Sequence, residues 1–253
     1  MKRKLYLWIS VLLIALFVSI LPAYSKKISN YHHKGFQSST FDALNIGVYE
    51  GSITLNQLKK HGDFGLGTYD GLDGEMVLLN GKFYQIKDDG IAYPVNHRTT
   101  TPFSTLTFFR KEQSLSLRGK ATYQELQQQI DAKLSSKNLP YAMRIQGNFP
   151  YLKVRSVARQ KLPYPLLGEV INKQQKIFEF RNVKGTLVGF RLPLSFKGSN
   201  VAGYHFHFIT DDLKAGGHLL DGEFLNAIAD VETLHDWQIA LPHHESFATA
   251  KLE

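Results

Sequence analysis

The sequence predicts a mixed α/β fold, with two packed, mostly antiparallel or mixed β-sheet units and a few helices. Three observations lead there. Short apolar runs with period-two alternation recur through most of the chain. Asn80-Gly81 joins two of these runs, Glu75–Leu79 and Lys82–Ile86, and both residue types tolerate the positive φ of a tight hairpin turn. A few helical segments interrupt the strands and carry their own start signals.

The first 25 residues stand apart. Lys2, Arg3 and Lys4 precede an apolar run from Leu5 to Leu21, followed by small residues and Lys26-Lys27. That is the layout of a secretory signal peptide, so a secreted or periplasmic protein is expected, without stable membrane association after cleavage. An uncleaved membrane anchor is the rival reading, because the run approaches the length of a spanning helix. Of the formal net charge of +8, three units come from Lys2, Arg3 and Lys4, which leaves +5 for residues 26–253. No arginine-rich run or basic stripe with interleaved aromatics is present, so a nucleic-acid partner has no support. The chain has no cysteine, which excludes disulfides and thiolate metal sites.

Element by element, Phe41, Leu44, Ile46 and Val48 fall near helical spacing in Ser38–Gly51. Thr54 and Gln57 form a capping box for a short helix ending by Gly62. Thr101–Arg110 reads as a strand. Thr122 and Glu125 form a second capping box, and Leu126, Ile130 and Leu134 make an apolar stripe, predicting a helix over 122–138 before Pro140. Strands follow over 141–146 and 151–157, then a helix over 166–176. Further strands are expected over 177–182, 186–192, 203–210, 218–224 and 237–241. A boundary is placed near residue 160, separating an N-terminal α/β domain (26–160) from a C-terminal β-rich domain (161–253).

The densest chemistry lies in "YHFHFITDDLKAGGH", Tyr204–His218. On a strand, His205 and His207 share one face while Phe206 and Phe208 take the other. The backbone rise separates the two histidines by about 6.5–7 Å, which lets their rings converge on one ion. The polar turn brings His218 onto the next strand as a third nitrogen ligand. Three imidazoles suit several first-row metals, and zinc is the default in an exported protein. The competing reading is a surface histidine pair. His243, His244 and Glu245, like His32 and His33, read as solvated, because adjacent residues on an extended chain face opposite ways.

Gly62, Gly65, Gly67, Gly71 and Gly74 crowd into one segment ahead of Glu75. Such glycines let the backbone approach itself or a ligand closely. A carboxylate heading a buried strand is costly unless it meets a cation, so Glu75 is a candidate acid, against the alternative of a surface glutamate on a tight turn. Arg155, in "YLKVRSV", is placed to clamp a carboxylate with two parallel hydrogen bonds, against the alternative of a solvated strand arginine.

Together, "SSTFDALNIGVYEGSITLNQLKKHGDFGLGTYDGLDGEMVLLNGKFYQI", "TPFSTLTFF", "LKVRSVARQ" and "GYHFHFITDDLKAGGHLLDG" resemble the α-acetolactate decarboxylase family over nearly the whole chain beyond residue 25. The resemblance implies a Zn2+-dependent, homodimeric enzyme that converts 2-acetolactate, a 2-hydroxy-3-keto acid, to acetoin and carbon dioxide. It implies His205, His207 and His218 as metal ligands. Glu75, Arg155 and Thr68 would be the catalytic residues, as the active-site glutamate, the substrate clamp and a pocket residue. No organic cofactor is implied. The family also uses a glutamate of its C-terminal tail. This chain ends at "FATAKLE", and neither Glu245 nor Glu253 is matched to that role. Two other classes compete: a cupin-like metal oxygenase or isomerase, and an exported metal- or carbohydrate-binding module without catalysis. A cupin pattern expects a glutamate three or four positions past the second histidine, where this chain has Thr210 and Asp211.

Overall fold

Among the described residues, alternating patterning produces fourteen strands: β1 (Lys34–Ser38), β2 (Ile53–Thr54), β3 (Phe64–Thr68), β4 (Glu75–Leu79), β5 (Lys82–Ile86), β6 (Ala92–Pro94), β7 (Thr100–Thr101), β8 (Ser104–Thr107), β9 (Gln113–Thr122), β10 (Tyr141–Ser156), β11 (Lys176–Leu192), β12 (Gly203–Thr210), β13 (Gly216–Thr233) and β14 (Asp236–Ala240). Five short helices accompany them: α1 (Phe41–Asn45), α2 (Leu55–Leu58), α3 (Tyr123–Asp131), α4 (Leu167–Gln174) and α5 (Glu245–Ala248). The computed structural model describes residues 33–252. The signal-peptide reading of residues 1–25, and His32 and Glu253, lie outside the described residues. Among the described residues no helix is long and apolar enough to cross a membrane.

Two sheets carry the fold. One has seven strands in the order β14-β1-β8-β3-β4-β5-β6. The other has the order β10-β11-β12-β13-β9, and β10 also pairs with β13, so strands β10 to β13 close on themselves. Closure leaves a core on each side of this second sheet. Phe206, Phe208, Leu152, Val154 and Leu219 belong to an inner cluster. Val188, Phe190 and Ile209 meet Phe64, Leu66 and Val77 of the first sheet. Every one of these side chains is at most 4% exposed, so the interlayer contact is apolar and dry. The histidine-bearing face of β12 is therefore the face turned toward β3 and β4.

The sequence-predicted hairpin forms. β4 and β5 pair with Leu79 opposite Lys82, and Asn80 and Gly81 both adopt positive φ, as a type I′ turn requires. Both capping boxes form, at Thr54–Gln57 and at Thr122–Glu125. Helix α3 nevertheless stops at Asp131 rather than running to 138. The Tyr141 hydroxyl accepts the Ser136 N–H and donates to the Ser136 carbonyl, and these bonds hold the segment in turns instead. Of the strand expected over 101–110, Thr101 ends β7 and residues 104–107 form β8. Beyond it, the Phe109 and Arg110 amides leave the sheet for the carboxylates of Asp63 and Glu232.

The segments expected as two pairs of strands, 141–146 with 151–157 and 177–182 with 186–192, are two continuous strands. Their polar breaks face each other across the sheet, Gly147 opposite Gly185 and Asn148 opposite Lys184. The boundary near residue 160 does not separate the sheets. β9 and β10 precede it yet belong to the sheet of β11–β13, and β14 follows it yet pairs in parallel with β1. From His33 onward the chain is one compact unit, because each sheet takes strands from both halves.

Candidate metal centre and active site

Register builds the site. Arg155 on β10 lies opposite His218 on β13, and His218 lies opposite His207 on β12. Residues paired across antiparallel strands project from the same face, so the three form one row. His205 joins the row from two positions along β12. His207 is buried, and His205 and His218 are half-buried.

The ring nitrogens converge. His205 Nε2 lies 3.2 Å from His207 Nε2, and His218 Nδ1 lies 3.3 Å from the same atom. All three ligand atoms lie within 4.8 Å of one another. Two nitrogens each about 2.05 Å from a tetrahedral ion would stand roughly 3.3 Å apart, so the trio fits a metal. His207 Nδ1 is 2.8 Å from the Met76 carbonyl oxygen. A carbonyl only accepts, so the ring proton sits on Nδ1 and the Nε2 lone pair is free for an ion. Burial holds all three rings below the usual histidine pKa, and well below it for His205 and His218. The Arg155 guanidinium adds to the depression at each. At His207 the Glu75 carboxylate opposes it. The rings are thus neutral at physiological pH, the form that ligates.

Glu75 reaches the row from the other sheet. Its side chain is 7% exposed; Oε1 accepts a 2.9 Å bond from Arg155 Nη1, while Oε2 lies 3.3 Å from His207 Nε2. Thr68 is opposite Glu75 on β3, and its hydroxyl donates to the Gly74 carbonyl. The glycines of β3 explain how this strand fits. A Cβ on Gly67 would stand 2.4 Å from the Phe103 carbonyl oxygen, so only glycine permits β8 to lie this close. The Ser156 hydroxyl donates to the Ile86 carbonyl and ties the sheets together beside Arg155.

His205, His207, His218, Glu75, Arg155 and Thr68 all line a cavity of about 250 Å³. That is smaller than the clefts that hold drug-sized ligands, which suits a small molecule. Gly67 also lines it, and the rest of the lining is apolar. This apolar part comprises Phe41 and Leu44 of α1, Leu167 and Ile171 of α4, and Leu72, Phe103, Val157 and Val201. Its sequence signal is the i, i+3 and i, i+4 apolar spacing on α1 and α4, which ordinary helix core shares.

The other histidines stay apart from the row. The sequence reading placed His243–Glu245 in a solvated tail, but His244 caps α5. Its Nδ1 accepts the Phe247 amide, and the Ser246 hydroxyl bridges to Glu50. His33 Nδ1 stands 3.3 Å from Glu112 Oε1 at the start of the compact unit.

Residues 36–253 match the family model described as alpha-acetolactate decarboxylase. The chain belongs to this family. It is an enzyme, a carboxy-lyase. Relatives named alpha-acetolactate decarboxylase include one from Methanosarcina mazei, 49% identical over 86% of this chain and 75% of its own length. Another, from Methylococcus capsulatus, is 44% identical over 87% of this chain and 84% of its own. The crystal structure of the family member from Bacillus subtilis strain 168 superposes with a TM-score of 0.84 at 37% identity, covering 87% of this chain and 94% of that one. The mixed α/β fold expected from the sequence is the fold of this family.

Proposed function

We propose that this chain removes carbon dioxide from 2-acetolactate to give acetoin, using a Zn2+ ion held by His205, His207 and His218. The observation that carries the reading is the convergence of three neutral imidazoles beside a buried Glu75–Arg155 pair. When bound, the ion would supply Lewis acidity toward the substrate's hydroxyl and ketone oxygens.

The chain's own residues account for the rest. Arg155 uses Nη1 on Glu75, and its other donors are available to hold the substrate carboxylate before it leaves. The bond between C1 and C2 breaks, and its electron pair passes into the neighbouring ketone, so no organic cofactor is required. Glu75 Oε2, the oxygen that Arg155 does not engage, would carry the proton delivered to C2. Delivery from one face sets the handedness of the product alcohol. Thr68 shapes the floor beside Glu75. The apolar wall excludes water while charge develops.

The cupin-like reading lacks its acid, since Thr210 and Asp211 lie at the turn closing β12, where Thr210 bonds Asp212. The binding-module reading leaves the buried Glu75–Arg155 pair without a task. Export and homodimerisation belong to the same proposal; Lys2–Ser25 supports the first and the family resemblance the second. The direct test is acetoin formation from 2-acetolactate by the purified chain, with and without a chelator. Turnover that a chelator stops and Zn2+ restores is expected. Turnover indifferent to chelation would overturn the metal-dependent reading.

A further inference from the structure

Three substituents of a tetrahedral C2 have places on the polar floor: the carboxylate at Arg155, and the hydroxyl and acetyl oxygen by the imidazoles and Glu75. Apart from the six polar residues and Gly67 the cavity is lined by apolar side chains, which are what remains for the fourth substituent, the C2 alkyl group, to meet. We infer that helix α4, through Ile171 and Leu167, sets the length of the C2 alkyl group the enzyme accepts. This rests on the proposed decarboxylase reading.

The two helices of the wall are not equally anchored. α1 is capped by Thr40, and the Phe41 and Asp42 amides donate to the Ser199 and Gly198 carbonyls at 2.9 Å each. Phe103 is 2% exposed within the core. Leu44 and Phe103 are thus built into the buried cluster, where trimming would leave a cavity in the core. α4 has no side-chain cap. Leu167 and Val170 belong to the buried cluster of Tyr49 and Leu72, and Ile171 packs against it from its edge; Leu167 and Ile171, one turn apart, also line the cavity. Ile171 is only half-buried, so its volume can change at little cost to folding. The polar floor meets the same atoms whether the alkyl group is methyl or ethyl, so discrimination falls to this face. One methylene in an apolar pocket is worth about ten-fold or more in kcat/KM.

The experiment compares kcat/KM for 2-acetolactate and for its homologue with ethyl in place of methyl at C2. It uses the metal-loaded parent chain, Ile171→Ala and Ile171→Phe, each checked by thermal denaturation. Ile171→Ala should raise the ethyl-to-methyl ratio by about ten-fold, and Ile171→Phe should lower it by a similar factor. Leu167→Ala gives an independent second reading of the same face, with the ratio again expected to rise. Ratios unchanged within two-fold in all three folded variants, with the parent active, would overturn the assignment of α4 alone. A parent chain inactive on 2-acetolactate would overturn the decarboxylase reading and this inference with it.

Discussion

Replacing Glu75 with glutamine separates two roles that a buried carboxylate could have. The substitution keeps the side-chain volume and leaves an oxygen to accept the 2.9 Å bond from Arg155 Nη1. It removes the charge, and it removes the oxygen able to carry a proton 3.3 Å from His207 Nε2. The charge-assisted part of a buried hydrogen bond is worth about 1–3 kcal/mol, so Tm should fall by about 2–12 °C in a chain of this size. The catalytic effect should be larger. A positioned proton donor contributes about 10²–10⁴ in rate, or about 2.7–5.4 kcal/mol of barrier. Metal content by elemental analysis should stay at the parent level, because the three imidazoles are untouched. The assay is acetoin formation at saturating substrate on protein of measured metal content. A Glu75→Gln variant that folds, holds metal and turns over within three-fold of the parent would remove Glu75 from the chemistry.

Three further outcomes are expected, two from the geometry and one from the N-terminal sequence. His205 and His218 are neutral in the fold and protonate more readily when unfolded, so below about pH 6.5 the unfolded chain takes up the extra protons. The metal-free protein should therefore lose stability as pH falls from about 6.5 toward their depressed folded values, and keep it above; His218→Asn should flatten this slope in Tm-versus-pH scans. Gly67→Ala should cost about 3 kcal/mol or more in denaturant unfolding, because its Cβ would sit 2.4 Å from the Phe103 carbonyl oxygen; a near-neutral effect would refute the close approach of β3 and β8. N-terminal sequencing of secreted material should begin near Lys26, whereas intact Met1 in a membrane fraction would favour an anchor.

Much of the polar half of the site was legible because its signals are local. A strand period of two put His205 and His207 on one face. Asn80-Gly81 fixed the β4–β5 hairpin, and with it the strand that Glu75 heads. The remainder depends on contacts between distant segments. β3 escaped notice because Gly65 and Gly67 carry no side chain to show alternation, and their purpose emerges only when β8 lies against them. β14 pairs with β1 across some two hundred residues, a register no window of sequence contains. The polar stretches near Gly147 and Gly185 looked like breaks until they were found paired with each other. The wall formed by Ile171, Leu167, Phe41 and Leu44 reads as ordinary helix core, since apolar spacing does not say whether the facing space is filled.

The central claim is that three imidazoles hold one ion on which turnover depends. Its most direct test is the metal content of the purified chain measured alongside that of His207→Ala. About one divalent ion per chain is expected in the parent, with zinc foremost, and a substituted protein that folds but has lost both metal and acetoin production. A parent that turns over 2-acetolactate at full rate with no stoichiometric metal, or a His207→Ala variant that retains its ion and its rate, would contradict it.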